Sequence, residues 1–393
     1  MSLTAREKRL VVLLAVILVP LAILAVRVAA TSTTTDFYCF RSGSSFVLQG
    51  RDPYDESAWT AATSGTSLDA FDRMRGHNCY TRYLYPLTTA IAMAPLALLP
   101  LGVAAALWEL AIFVAAGAGV ALLARAARLA RFDALALALL VAISLPFEQT
   151  VMSAQFGGLA LLTAGLLAAP RIGAARAATA IVIAALKPHL LPIAVLARLQ
   201  RMPLRMVALA IAPIAVLAVV SLFLEPTWPG RWLGSLSGDR RNLIAVSVSV
   251  WTLGAVTALP LLPAVIVVAA LVPLAIAFVR RRPLDVLDAV AIGAVAWQIV
   301  VPYGLVGDQL ASLALCWAAI YRRIIAQGSP ALAAALFTVA GILPWILYAT
   351  RFDILAFGGL ELSSTLVPPA TALVLAAALL TTKRGAVTRL EAE

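Results

Sequence analysis

Six of the nineteen acids, Asp36, Asp52, Asp55, Glu56, Asp69 and Asp72, fall in one polar stretch, residues 31–84, of a chain otherwise made of apolar runs. Carboxylates gathered there can take protons from hydroxyl groups, which is the work of a general base. Another acid, Glu109, stands inside an apolar run beside Trp108, where a carboxylate has to be partnered or protonated. The cationic counterpart is Leu186-Lys187-Pro188-His189, set between two short apolar runs. A lysine in such a setting is costly and marks a functional position. Other chemistries lack their residues: no Cys/His/Asp spacing suits zinc, and there is neither a phosphate-cradling Gly-rich loop nor a Ser nucleophile elbow. No metal and no cofactor are expected.

These side chains must be positioned by helices in a membrane. Of 393 residues, 62% are hydrophobic and 12% charged, with a mean hydropathy of +0.97. Soluble domains carry about 25% charged residues, so a water-soluble enzyme is excluded, as is a disordered chain. The fold class is an all-α polytopic membrane protein, one membrane-embedded unit over residues 1–393. Apolar patterning predicts helices near 10–30, 102–124, 132–146, 157–170, 174–187, 189–199, 206–224, 250–279, 284–302, 306–321, 330–349 and 364–381. That is a bundle of about twelve transmembrane helices.

The basic residues orient it. Nineteen of the thirty Lys and Arg residues cluster at 6–9, 125–131, 171–176, 198–205, 280–282, 322–323 and 383–389. One topology puts all of these on the cytoplasmic side, with both termini inside and the acid-rich segment outside. The net charge of +11 is therefore an orientation signal, and nucleic acid is not needed as a partner. The first apolar segment, residues 10–30, is long and continuous, as a retained helix is and a signal-peptide core is not.

The same topology defines a long first extracytoplasmic loop, 31–101, which ends in an interfacial helix over 86–101, and a later one at 225–249. A helix of about 14 residues rises only about 21 Å, so the Lys187-Pro188-His189 junction would lie in a recess below the outer surface. Trp228, Trp232 and Trp251 read as an interfacial belt rather than a ligand-stacking platform. Cys39 and Cys79 share the first loop and can either close a disulfide across it or remain two thiols.

The motifs also carry a resemblance. Thr35-Asp36-Phe37-Tyr38, Gln49-Gly50-Arg51-Asp52-Pro53-Tyr54 and Tyr83-Leu84-Tyr85-Pro86-Leu87 are followed by Ala154-Gln155-Phe156-Gly157-Gly158, by Leu186-Lys187-Pro188-His189, and by Val301-Pro302-Tyr303 with Asp308. In this order they resemble glycosyltransferase family 87 of the GT-C superfamily, with Leu87 in place of a second proline and Gly157-Gly158 where an asparagine is expected.

The resemblance implies an inverting transferase at the plasma membrane with its active site on the extracytoplasmic face. It would move mannose or arabinofuranose from a polyprenyl-phosphate donor to a hydroxyl of a lipid-linked or cell-envelope glycan acceptor. Such a displacement needs a carboxylate base and cations for the leaving phosphate. On that reading Asp36 is the base, against an alternative as a helix-capping or Arg41-paired acid. Lys187, His189, Arg231 and Arg241 face the donor phosphate; Arg240 belongs to the same loop. Gln155, Tyr85, Tyr303, Asp308 and Glu109 contact substrate, with Arg82 a possible partner of Glu109. The rival class is a polytopic lipid or small-molecule transporter or flippase, which would require inverted repeats or a path of intramembrane charges.

Overall fold

The computed structural model describes residues 3–31, 35–63, 82–238, 249–256, 259–281, 283–301, 304–342, 344–346 and 362–382. These residues form helices and connecting turns, with no strand among them. Helix α1 (Ala5–Thr31) is followed by α2 (Asp36–Leu48), α3 (Glu56–Thr63), α4 (Leu87–Ala97), α5 (Leu101–Ala126), α6 (Arg131–Ala142), α7 (Leu145–Met152) and α8 (Gly157–Ala168). Then come α9 (Ala174–Leu186), α10 (Pro192–Leu199), α11 (Leu204–Leu224), α12 (Trp228–Gly238), α13 (Val250–Val256), α14 (Leu262–Arg280) and α15 (Val286–Val300). A 3-10 turn (Val306–Gln309) leads into α16 (Leu310–Gln327), then α17 (Pro330–Phe337) with a π turn (Thr338–Ile342), and α18 (Leu362–Thr381).

Punctuation in the sequence explains many boundaries. Pro100 and Pro203 sit at the N-caps of α5 and α11, where a missing N–H costs nothing, and Pro192 opens α10. Gly328 ends α16 at φ 60°, a left-handed cap that glycine takes without steric penalty.

Among the described residues four helices, α1, α5, α11 and α14, are long and apolar enough to cross a membrane; α6 and α7, bent by 60° at Ile143-Ser144, would make a fifth as a pair. The other apolar helices among the described residues are shorter, so four or five of the expected twelve or so membrane helices have the length of a full span. The outward faces of α1 and α11 are bare apolar surface, with Ile23 68% and Phe223 88% exposed. Such surface is stable only against lipid.

Several predicted boundaries change. The polar stretch 31–84 is not plain loop, because α2 and α3 lie within it. Thr35 caps α2 by accepting the Tyr38 N–H at 3.4 Å, and Phe37, Phe40 and Ser44 line its buried face at helical spacing. The helix expected over 250–279 is two, α13 and α14, with residues 257–258 outside those described and Pro263 in the first turn of the second. The 132–146 helix stops at Ala142 and the 330–349 helix loosens into a π turn. The later loop, 225–249, contains α12.

The centre of the bundle is α8, buried along nearly its whole length and packed against α5, α16 and α9. Glycines bring its backbone onto α5. A Cβ at Gly119 would stand 2.5 Å from the Leu161 carbonyl oxygen, and one at Gly165 2.7 Å from that of Gly119. Small residues at such crossings let helices in an apolar solvent gain dispersion contact.

The Arg322/Arg323 pair, counted above with the loop charge, is buried instead, each residue 5% exposed. Arg322 reaches Asp285 at 2.5 Å and Asp288 at 3.0 Å, and Arg323 clasps both oxygens of Asp288. The acids stand at the N-cap and in the first turn of α15, where negative charge complements the helix dipole.

Candidate active site

Three breaks in the helical bundle converge. The first is the start of α2, where Asp36 donates its backbone N–H to the Ser153 carbonyl at 2.9 Å, tying it to the turn after α7. In that turn Ala154 has φ 51°, an uncommon conformation for a residue with a Cβ, and its carbonyl accepts the Trp108 indole N–H at 2.9 Å. Backbone strain of this kind persists where surrounding contacts determine it.

The second break is Lys187-Pro188-His189 between α9 and α10. Pro188 disfavours helical geometry at Lys187, which leaves the helix with φ −137°, ψ 78°. The ends of the break are pinned: Thr89 donates to the Leu186 carbonyl at 2.6 Å, and the Trp297 indole N–H to the His189 carbonyl at 2.6 Å. The third break is the 3-10 turn before α16, where the Asp308 carboxylate accepts the Leu305 N–H at 3.0 Å. This turn meets α7, where Thr150 donates to the Gly307 carbonyl at 3.2 Å.

The three breaks bring together Asp36, Lys187, His189 and Asp308. Lys187 Nζ lies 2.6 Å from Asp308 Oδ1 and 3.8 Å from Asp36 Oδ2, and His189 Nε2 lies 3.2 Å from Asp308 Oδ2. Lys187, Asp36 and Asp308 are buried, while the His189 side chain is 27% exposed and forms the outer edge of the group. The Tyr85 side chain hydrogen-bonds to the Asp36 carboxylate.

The two acids are treated unequally. Burial would raise Asp308, but the Lys187 ammonium and the His189 contacts outweigh it and hold the carboxyl well below the usual range. For Asp36 burial prevails over the more distant Lys187, and the neighbouring Asp308 charge adds to it, so the carboxyl is pushed up to about 6. Asp36 Oδ2 is buried and accepts no hydrogen bond. One carboxylate is thus saturated with donors and the other keeps a lone pair in reserve, the division of roles expected of an acid that anchors and an acid that accepts a proton.

The remaining sequence candidates distribute as follows. Gln155 is buried beside Gly307, with its Oε1 unpartnered. Tyr85 is buried and packs edge-on to Phe40 at 4.6 Å. Asp36 does not pair with Arg41, which donates instead to the Leu99 carbonyl at 2.9 Å; the N-cap of α2 is Thr35. Glu109 is wholly buried with neither carboxylate oxygen bonded, and Arg82 pairs with Glu56 at 2.7 Å rather than with Glu109. Arg231 forms an ion pair with Asp52 in a cleft whose lining does not include Lys187. Cys39 is buried in α2. Arg241, Tyr303 and Cys79 lie outside the described residues.

Sequence reasoning missed the supports Thr89, Thr150 and Trp297. Their only signal was a hydroxyl or indole set in an otherwise apolar run.

Residues 83–302 match the sequence model of glycosyltransferase family 87, a stretch that carries Tyr85, Gln155, Lys187 and His189 and leaves Asp36 and Asp308 on either side. Neither the curated proteins nor the solved structures include a match. With more than half of its length covered, the chain belongs to glycosyltransferase family 87, a family of membrane glycosyltransferases.

Proposed function

We propose that the protein transfers a sugar, mannose or arabinofuranose, from a polyprenyl phosphate to a hydroxyl of a lipid-linked or cell-envelope glycan. It does so on the extracytoplasmic face of the plasma membrane, in a GT-C-like bundle whose shorter apolar helices complete the membrane domain beside the long ones. Both termini are cytoplasmic on this reading. The observation that carries it is the free, buried oxygen of Asp36 beside a cation held by a second carboxylate.

The chemistry is a single displacement. Asp36 Oδ2 takes the proton of the acceptor hydroxyl as its oxygen attacks the anomeric carbon; the bond from that carbon to the phosphate oxygen breaks, and the electron pair leaves with the phosphate. His189, at the open edge of the group, meets the phosphate first, and the Lys187 ammonium lies deeper. Asp308 does not serve as a nucleophile, because Lys187, His189 and the Leu305 N–H already occupy its oxygens. With one free carboxylate at the group, inversion at the anomeric carbon follows, since retention through a covalent intermediate requires a second.

The test uses the purified chain in lipid nanodiscs with an acceptor glycolipid extract. Polyprenyl-phosphate mannose or arabinofuranose should yield glycosylated product together with free polyprenyl phosphate. Transfer from nucleotide sugars, with none from either lipid donor, would overturn the proposal.

A further inference from the structure

A second, polar site shares the Leu84-Tyr85 segment with the Asp36 group. A cleft of about 500 Å³ is lined by Asp52, Tyr54, Asp55 and Arg82 on one side and by Arg231 and Gly234 of α12 on the other. Its volume falls within the range of small-ligand pockets, about 300–1,000 Å³.

The cleft is a built feature. Asp52 accepts the Tyr54 N–H at 2.9 Å, within the turn over Asp52–Asp55, and its other oxygen takes Arg231. Arg82 is held by Glu56 at 2.7 Å. Both walls hang on one segment: the Tyr54 hydroxyl donates to the Tyr85 carbonyl at 2.8 Å, and the Trp232 indole N–H to the Leu84 carbonyl at 3.0 Å. Tyr85 in turn bonds Asp36 through its side chain. A ligand seated in the cleft is therefore one residue removed from the residue that holds the base.

Charge selects the ligand. The two carboxylates and two guanidiniums that line the cleft cancel, and Arg231 is already matched to Asp52. An anion such as a phosphate would need an excess of cations. A neutral polyol suits the lining, since vicinal hydroxyls donate to carboxylates and accept from guanidiniums with no charge to neutralise.

We infer that this cleft binds the neutral sugar ring that precedes the accepting hydroxyl, so that the acceptor is read as a glycan and not as a bare lipid alcohol. This rests on the proposed transfer at Asp36 and moves Arg231 from the donor phosphate to the acceptor.

The experiment measures binding directly, by saturation-transfer NMR on the full chain in nanodiscs. The probes are methyl α-mannopyranoside, methyl α-arabinofuranoside and methyl α-mannobioside. At least one should bind, and Arg231→Ala should weaken it by roughly tenfold, the loss expected for one hydrogen bond to a charged group.

Gly234→Trp gives a second, independent reading, because a Cβ at Gly234 meets nothing within 4 Å and the indole would enter the cleft without displacing the fold. It should abolish the signal. Asp36→Asn should leave the signal in place, since Asp36 does not line the cleft.

No signal from any glycoside, equal binding by Gly234→Trp, or displacement of the glycoside by inorganic phosphate would each overturn the inference. Glycoside binding that survives alongside failed transfer from both lipid donors would sink the proposed donor and leave the cleft standing. Successful transfer without glycoside binding would do the reverse.

Discussion

Asp36→Asn should lower sugar transfer by roughly 10²–10⁴, the share that general-base catalysis ordinarily contributes, or about 3–5 kcal/mol of barrier. The asparagine keeps the size of the side chain and an oxygen to accept from Tyr85, but it cannot take a proton at the position of Oδ2, which accepts no other hydrogen bond. Donor binding should persist, because the side chains assigned to the phosphate, Lys187 and His189, remain tied to Asp308. Transfer rate, donor affinity and thermal midpoint, measured on one preparation, separate lost catalysis from lost fold. Near-normal turnover by folded Asp36→Asn would remove this residue from the reaction.

Lys187→Met should be equally damaging to transfer and far worse for stability. The ammonium stands between two buried carboxylates, 2.6 Å from Asp308 and 3.8 Å from Asp36, and its loss strands negative charge where water does not reach. Removing one partner of a buried pair costs about 3–5 kcal/mol. The double variant Lys187→Met/Asp308→Asn removes the stranded charge along with the cation, so it should regain most of the thermal midpoint while staying inactive. If the double variant were no more stable than Lys187→Met, the cost would lie in packing and not in charge. If Lys187→Met alone kept normal turnover, the lysine would have no part in the site.

The legible and the hidden parts of this site differ in kind. The break at Lys187-Pro188-His189 was readable, because proline interrupts a helix. The position of Asp36, just past the first long helix, was readable from its place after the first apolar run. That Asp308 is the residue joining Lys187 to His189 was not, since 121 and 119 positions separate them and neither periodicity nor charge counting brings a 3-10 turn onto a helix break. The expected role for Asp308 was contact with substrate; the structure gives it three donors of the protein's own.

The fold shows the same division. Long apolar runs and proline caps placed α5, α9 and α11 within a few residues. Helix α2 was hidden because its half-buried polar residues Arg41, Ser42 and Ser45 masked the Phe37, Phe40, Ser44 stripe that packs under the site. Arg322 and Arg323 misled in the opposite direction. Charge at the end of an apolar run looks like loop, and only the acids at 285 and 288, on the neighbouring helix, show that the pair is buried.

The central claim is that Asp36, as a free carboxylate, accepts the proton of the acceptor hydroxyl. Burial pushes this carboxyl up to about 6, so below that pH it is increasingly protonated and unable to act, and above it the base is fully available. Measured as kcat/KM for transfer, the rate should rise about tenfold per pH unit up to about 6 and then level off. A rate that stays flat down to about pH 4.5, in protein that remains folded there, would contradict it.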